Sequence, residues 1–322
     1  MLLARRPGNL SGRAKLKRCF EDGRKSVGSA RMSLGKNILH ESCAMTSRKI
    51  VFFAFAFLLG LAGVEAGWAA SPQTKVPYAL LIDDNTGAVL FAKNANAPMA
   101  PASTTKILTA EIVFREIVEG RLRLDDTAPI SPRAAREGDA ESGGSSMFAQ
   151  ANSRVRIEDL LRGLVIASGN DAAIALAEDV AGAEEAFVAL MNRRARELGM
   201  TRSHFANAWG DGDPGQKVTA RDMARLAAYV IRTYPQFYSY FGEAEFTWNG
   251  IRQQNRNPLL AMNIGADGVK TGHLGQSGFG LVGSAVQNGH RLILVLNGAR
   301  SEEERAREAR RLLEWGFGTV GR

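Results

Sequence analysis

The chain has 322 residues, 45% hydrophobic and 23% charged, a globular composition that excludes a disordered or collagen-like polypeptide. Its net charge of +8 is concentrated at one end: residues 1–44 hold ten Lys/Arg against Glu21, Asp22 and Glu41, while residues 70–322 hold 29 basic and 29 acidic side chains. A nucleic-acid partner therefore has no electrostatic basis in residues 70–322. Both cysteines, Cys19 and Cys43, also fall in the basic end, so the remainder can form neither a disulfide nor a thiolate metal site.

Met45-Thr46-Ser47-Arg48-Lys49 is a short basic start, followed by an apolar run from Ile50 to Leu61 and small residues that close on Gly67-Trp68-Ala69-Ala70. This is the layout of a secretory signal peptide, with Gly67-x-Ala69 as the cleavage site. The apolar run, roughly 12–15 residues, is short against the ~20 that a membrane-spanning helix needs. We read residues 1–44 as an extension upstream of the true start at Met45, with a long leader as the alternative. Residues 45–69 are the signal peptide and 70–322 a single exported domain, periplasmic and held to a membrane only by an uncleaved signal.

In that domain, Tyr78–Asp83 and Ala88–Ala92 flank a turn at Asp84–Gly87 and predict a β-hairpin. Ile107, Leu108, Ile112, Val113 and Ile117 recur at helical spacing, so a helix is predicted from Thr104 to about Val118 with Ser103 where it begins. Helices follow at 157–167 and 171–180, joined across Ser168-Gly169-Asn170, and at 184–198 and 220–232. Strands return at 279–286 and 291–296 around Asn288-Gly289, a strong hairpin signal. A helix from Glu302 to about Glu314 ends before Trp315-Gly316-Phe317. Strands at both ends with helices between predict an α+β fold: one antiparallel sheet built from distant segments, flanked by helices, with an inserted helical subdomain and a cleft where the two meet.

His204, His273 and His290 are far apart, with no His-Glu-x-x-His pair, and neither a metal nor another cofactor is expected. Gly278-Phe279-Gly280-Leu281-Val282-Gly283 matches the dinucleotide string but runs into a strand, where that motif must open a helix. Ser103-x-x-Lys106 has the spacing that places both side chains on one helix face, so that the amine can reach the hydroxyl. Burial, a neighbouring cation and the positive end of the helix dipole can each favour the neutral amine that a base requires. Alone the pattern is weak: Ser33 and Lys36 repeat it, and Ser103 could simply cap the helix with a solvated Lys106 one turn on.

Two further elements shift the balance. Ser168-Gly169-Asn170 can present a hydroxyl and an amide to a cleft, and in Lys270-Thr271-Gly272 the first and third residues point to the same strand face, where the glycine admits a ligand close to the backbone. Ser-x-x-Lys, Ser-x-Asn and Lys-Thr-Gly, in this order, form the set shared by β-lactamases and penicillin-binding proteins. On these motifs, and on Gly144-Ser145-Ser146-Met147-Phe148, Asn255-Arg256-Asn257-Pro258-Leu259-Leu260 and Asp267–His273, the chain resembles the low-molecular-mass penicillin-binding proteins, the serine D-alanyl-D-alanine carboxypeptidases, from about Tyr78 to Phe317.

The resemblance implies a β-lactamase/transpeptidase-like fold acting on peptidoglycan stem peptides, with β-lactam antibiotics as covalent inhibitors. It implies Ser103 as nucleophile, Lys106 as general base, Ser168 as proton relay and Asn170 as an orienting group. Lys270, Thr271, Gly272 and His273 would bind substrate, the backbone N–H of His273 joining that of Ser103 in an oxyanion hole, while Arg305 and Arg256 meet the terminal carboxylate. For Arg305 the plainer reading is a solvated arginine on the last helix. The chain departs from the family where Asn207-Ala208-Trp209-Gly210-Asp211 stands in place of Asn-Pro-His-Gly-Leu, and it stops before the second β-domain and the anchoring helix that many members carry. An endopeptidase cutting cross-links shares the same motifs. A β-lactamase would need a glutamate-positioned water, and a binding-only relative would have lost the serine or the lysine.

Overall fold

The computed structural model describes residues 72–138 and 144–320. The basic extension, the signal peptide, the cysteines and the Ser33/Lys36 pair lie outside the described residues. The chain enters through β1 (Tyr78–Asp83) and β2 (Val89–Lys93), then a 3₁₀ turn (Ala102–Thr105) that runs into α1 (Lys106–Val118). The helical part follows, with β3 (Thr127–Pro129), α2 (Pro132–Glu137), β4 (Arg154–Arg156), α3 (Ile157–Arg162), a π-turn (Gly163–Ala167), α4 (Asn170–Ala181) and α5 (Glu184–Glu197). Next come α6 (Ala220–Thr233), α7 (Pro235–Tyr238), β5 (Glu245–Trp248) and β6 (Ile251–Gln254). The chain closes with β7 (Ala266–Leu274), β8 (Gly278–Gln287), β9 (His290–Ala299) and α8 (Glu302–Val320).

The five-stranded sheet has the order β2-β1-β9-β8-β7, with every pair antiparallel, so the first strand lies beside the last and β7 forms an edge. The predicted single sheet assembled from distant segments is therefore found. Alternation along the strands separates two apolar cores. Leu80, Val282, Ile293 and Val295 face the core shared with α1, α4 and α6, whereas Leu81, Leu281, Leu292, Leu294 and Leu296 face Ala309, Leu312 and Leu313 of α8. Because both faces of β9 are covered, it reads as a continuous apolar run rather than an alternating one. Burying Leu312 and Leu313 fully supplies about 2 kcal/mol each toward holding α8 on the sheet.

The predicted hairpins form, and Asn288 and Gly289 both take positive φ, as a two-residue turn requires. α8 runs past its expected end near Glu314 to Val320. Gly316 is no terminator here: a Cβ on it would lie 2.7 Å from Leu81 and 2.8 Å from Leu292, so its lack of a side chain lets the helix approach the sheet. The helix predicted over 157–167 is α3 plus the π-turn, which ends on Ser168 in the left-handed region at φ 61°. Sequence reading missed the β5–β6 hairpin, although Asn249-Gly250 carries its turn signal, and the short β3–β4 pair. The Gly278–Gly283 string lies within β8, as its strand reading required.

Candidate active site

Ser103 sits in the 3₁₀ turn ahead of α1 rather than at a helix cap, and no side-chain hydrogen bond caps this turn, so the N-capping reading fails. The turn is held tightly. Ala102 takes φ 50°, and the Thr104 hydroxyl donates to the Pro101 carbonyl at 2.7 Å. Two glycines close on it: a Cβ on Gly272 would lie 3.0 Å from the Pro101 oxygen and 3.1 Å from the Ser103 nitrogen, and one on Gly210 only 1.9 Å from the Ala102 oxygen. β7 and the segment after Asn207 can thus approach the turn only because they carry glycine at these two places.

Lys106 is fully buried. Its Nζ lies 3.1 Å from Ser103 Oγ, 2.7 Å from Asn170 Oδ1 and 2.8 Å from the Trp209 carbonyl oxygen. Burial, above all, and then the charges of Lys270 and Arg256 hold its pKa well below that of an ordinary lysine, with Asp171 opposing. A neutral amine has two N–H bonds and one lone pair. With the N–H bonds on the Asn170 and Trp209 oxygens, the lone pair is left for the Ser103 hydroxyl proton, which is the geometry of a base beside a nucleophile.

Lys270 points in from β7, buried, with Nζ 3.0 Å from the Thr271 carbonyl. Burial, then Arg256 and Arg305, bring its pKa down to about 7. Arg256 donates to Ser145 Oγ at 2.5 Å, and the Asn170 backbone N–H donates to the Ser145 carbonyl at 2.7 Å. Arg305 is only 4% exposed, which overturns the solvated reading. Its guanidinium lies over the Phe279 ring at 5.8 Å, and its Nε has no hydrogen-bond partner among the described residues. The His273 ring stacks on the same Phe279 at 3.9 Å.

A cavity of about 460 Å³ is lined by Ser103, Ser145, Asn170, Trp209, Asp211 and His273. A second, of about 770 Å³, shares His273 with it and is lined also by Tyr78, Phe279 and Asn297. Of the site residues expected from sequence, Lys106 is in direct contact with Ser103 and Asn170, and Arg256 and Arg305 act on Lys270 through charge. Ser168 is buried two residues before Asn170 but makes no side-chain hydrogen bond to Ser103 or Lys106 among the described residues. Sequence reading missed the Trp209 carbonyl and Gly210, and it marked Ser145 only as part of the Gly144–Phe148 segment, without a role. A backbone oxygen and a missing Cβ leave no side-chain signature; the departure at Asn207–Asp211 was the only marker of that segment.

A transpeptidase-like α+β fold with this Ser103–Lys106 turn defines a serine-type hydrolase of the penicillin-binding class. The D-alanyl-D-alanine carboxypeptidase (peptidase S11) family model matches residues 66–301, and the chain belongs to that family. It is 41% identical over 281 residues to the D-alanyl-D-alanine carboxypeptidase DacD of Escherichia coli K12, covering 84% of this chain and 71% of the relative. Among solved structures it is similar to penicillin binding protein 6B from Escherichia coli, with 42% identity, a TM-score of 0.72, and coverage of 77% of this chain and 80% of the other. It is likewise similar to penicillin binding protein 5 from Haemophilus influenzae, with 39% identity, a TM-score of 0.74 and coverage of 77% and 72%.

Proposed function

We propose that the protein removes the terminal D-alanine from peptidoglycan stem pentapeptides through an acyl-enzyme on Ser103, and that β-lactams acylate the same hydroxyl. The observation that carries this reading is the coordination of Lys106: two carbonyl oxygens for its N–H bonds and Ser103 Oγ at 3.1 Å for its lone pair. Lys106 takes the proton as Ser103 attacks the carbonyl of the penultimate D-alanine. The oxyanion is held by the backbone N–H groups of Ser103 and His273, and the C–N bond breaks as a proton passes by way of Ser168 to the leaving D-alanine. Water then hydrolyses the ester.

Lys270 keeps Lys106 neutral, Asn170 orients both the amine and the peptide, and the substrate lies along β7 as an added strand with Thr271 and Gly272 against it. Arg305 and Arg256 provide cationic character where the substrate ends in a carboxylate. The enzyme acts in the periplasm after export on its signal peptide. Cross-link endopeptidase activity is the second reading, because the same residues would serve it.

Mass spectrometry of the purified protein with a diacetyl-tripeptide ending in D-Ala-D-Ala, and separately with penicillin, tests the proposal. Release of one D-alanine and a penicillin adduct on Ser103, lost in Ser103→Ala, are the expected results. An adduct without D-alanine release would favour the endopeptidase, and labelling that survives Ser103→Ala would overturn the nucleophile assignment.

A further inference from the structure

We propose that Asp171 is a positioning residue of this hydrolase: its carboxylate fastens the backbone of residues 146–149 to the head of α4, and so sets where Ser145 and Asn170 stand in the Ser103 cavity. Asp171 is fully buried at the second position of α4. An acid in a first helical turn ordinarily faces solvent or its own free N–H groups. This one joins its own helix to a segment outside it. Oδ1 accepts from the Met147 N–H at 3.0 Å as well as from the Ala172 N–H at 2.9 Å. Oδ2 accepts from the Ser146 hydroxyl at 2.9 Å and the Ala149 N–H at 3.0 Å.

The fit around the carboxylate is close on other sides too. A Cβ on Gly138 would lie 2.4 Å from Asp171 Cβ, and one on Gly169 2.6 Å from Oδ1, so the chain is built without side chains where it passes this group. Between the two anchored amides stands Phe148 at φ 66°, a left-handed conformation that a bulky residue keeps only when its surroundings impose it. The bonds that Asp171 accepts from the Met147 and Ala149 N–H groups on either side, and that of the Phe148 N–H to Ser146 Oγ at 2.8 Å, supply that constraint. The strap so fixed leads directly to the site: Ser145 lines the cavity, accepts from the Asn170 backbone N–H, and takes the Arg256 guanidinium on its hydroxyl. Asn170 in turn receives Lys106 Nζ. Asp171 therefore holds the strap bonded to Asn170 while touching no reacting atom itself.

The assignment presupposes the acyl-transfer reading above, and its test separates the two. Asp171→Asn keeps the shape, yet either orientation of the amide aims an NH₂ at a backbone N–H. Ser146→Ala removes one of the bonds to Oδ2, together with the acceptor of the Phe148 N–H at 2.8 Å, and leaves the charge in place. In the full-length protein, hydrogen exchange at the Met147 and Ala149 amides should quicken tenfold or more in Asp171→Asn, as expected when a local segment opens. kcat/KM for the D-Ala-D-Ala peptide should fall roughly 100-fold, the cost of about 1 Å of misplacement, and by a smaller factor in Ser146→Ala.

The pH profile gives a readout that loss of fold alone would not move. The charged groups acting on Lys106 are Lys270, Arg256 and Asp171. Removing the one anion favours the neutral amine, so the acid limb of kcat/KM should shift to lower pH in Asp171→Asn and stay in place in Ser146→Ala. Unchanged amide protection, or lost protection with unchanged kcat/KM in both variants, would overturn the positioning role. A penicillin adduct elsewhere than Ser103 in the unmutated protein would instead overturn the acyl-transfer reading.

Discussion

Gly210→Ala would show how far the Ser103 turn depends on a missing side chain. Gly210 stands at φ 93°, where an L-residue costs about 1–2 kcal/mol, and its added Cβ would lie 1.9 Å from the Ala102 oxygen and 2.9 Å from the Ser103 nitrogen. Ordinary contact begins near 3.4 Å, so a movement of roughly 1.5 Å has to be found. Both neighbours are backbone, and Ala102 is itself held at positive φ, so the movement falls on the turn that carries Ser103. Overpacking of this kind adds about 1–3 kcal/mol of destabilisation. A displacement of about 1 Å at the reacting atom lowers acylation on the order of 100-fold. Gly182→Ala is the control: it has φ 78° at a helix end with nothing within 4 Å, so it bears the conformational cost without the collision. The assay is the second-order rate of penicillin acylation beside the thermal midpoint. Both variants should lose midpoint, and only Gly210→Ala should lose acylation rate. Equal acylation rates in the two would refute the claim that Gly210 positions Ser103.

The other expectations rest on charge. Lys270→Gln removes a cation that holds Lys106 down, so the Lys106 pKa rises and the acid limb of the kcat/KM profile should move to higher pH, the effect being confined to pH below about 7 where Lys270 is charged. Arg305→Ala should lower kcat/KM for peptides with a free terminal carboxylate more than it lowers acylation by an ester that lacks one; equal losses would remove the carboxylate role. Glu111→Gln breaks a buried pair in which Arg194 Nη2 lies 2.7 Å from Glu111 Oε1, with Tyr234 as a further donor. It should cost about 3 kcal/mol and lower the thermal midpoint by roughly 6–12 °C, read by calorimetry, while the penicillin adduct still forms.

What the sequence made legible was whatever side-chain chemistry and periodicity encode. Ser103, Lys106 and Asn170 stood out because their residue types at that spacing match the demands of acyl transfer, and the structure brings them within hydrogen-bond reach. The late hairpin was readable from Asn288-Gly289 because only such residues take two positive φ angles in succession. Backbone contributions were not readable: the Trp209 carbonyl on Lys106 needs no tryptophan, and the closeness of Gly210 to Ala102 appears only once distant segments are in place. α8 runs beyond the end its sequence predicts for a related reason, since a glycine that stops an isolated helix can also be the residue that lets a helix seat against a sheet. Arg305 looked like a surface residue by type, and its burial is decided by the fold around it.

The neighbour relations in the sheet have a consequence for how the molecule comes into being. β1 pairs only with β2 and β9, the site's Lys106 and Asn170 are 64 residues apart, and Lys270 arrives on a strand that pairs with β8. Closing such long loops costs entropy before any contact returns it, so in a chain of this topology Ser103, Lys106, Asn170 and Lys270 are expected to come together late in folding. A growing polypeptide that already carries Ser103 and Lys106 still lacks the cation, the glycine edge and the central strand that complete the cleft. If Ser103 is the residue that β-lactams acylate, as proposed above, labelling of a nascent chain should begin only once β7 to β9 have docked, so that a radiolabelled drug would count finished molecules and pass over unfinished ones.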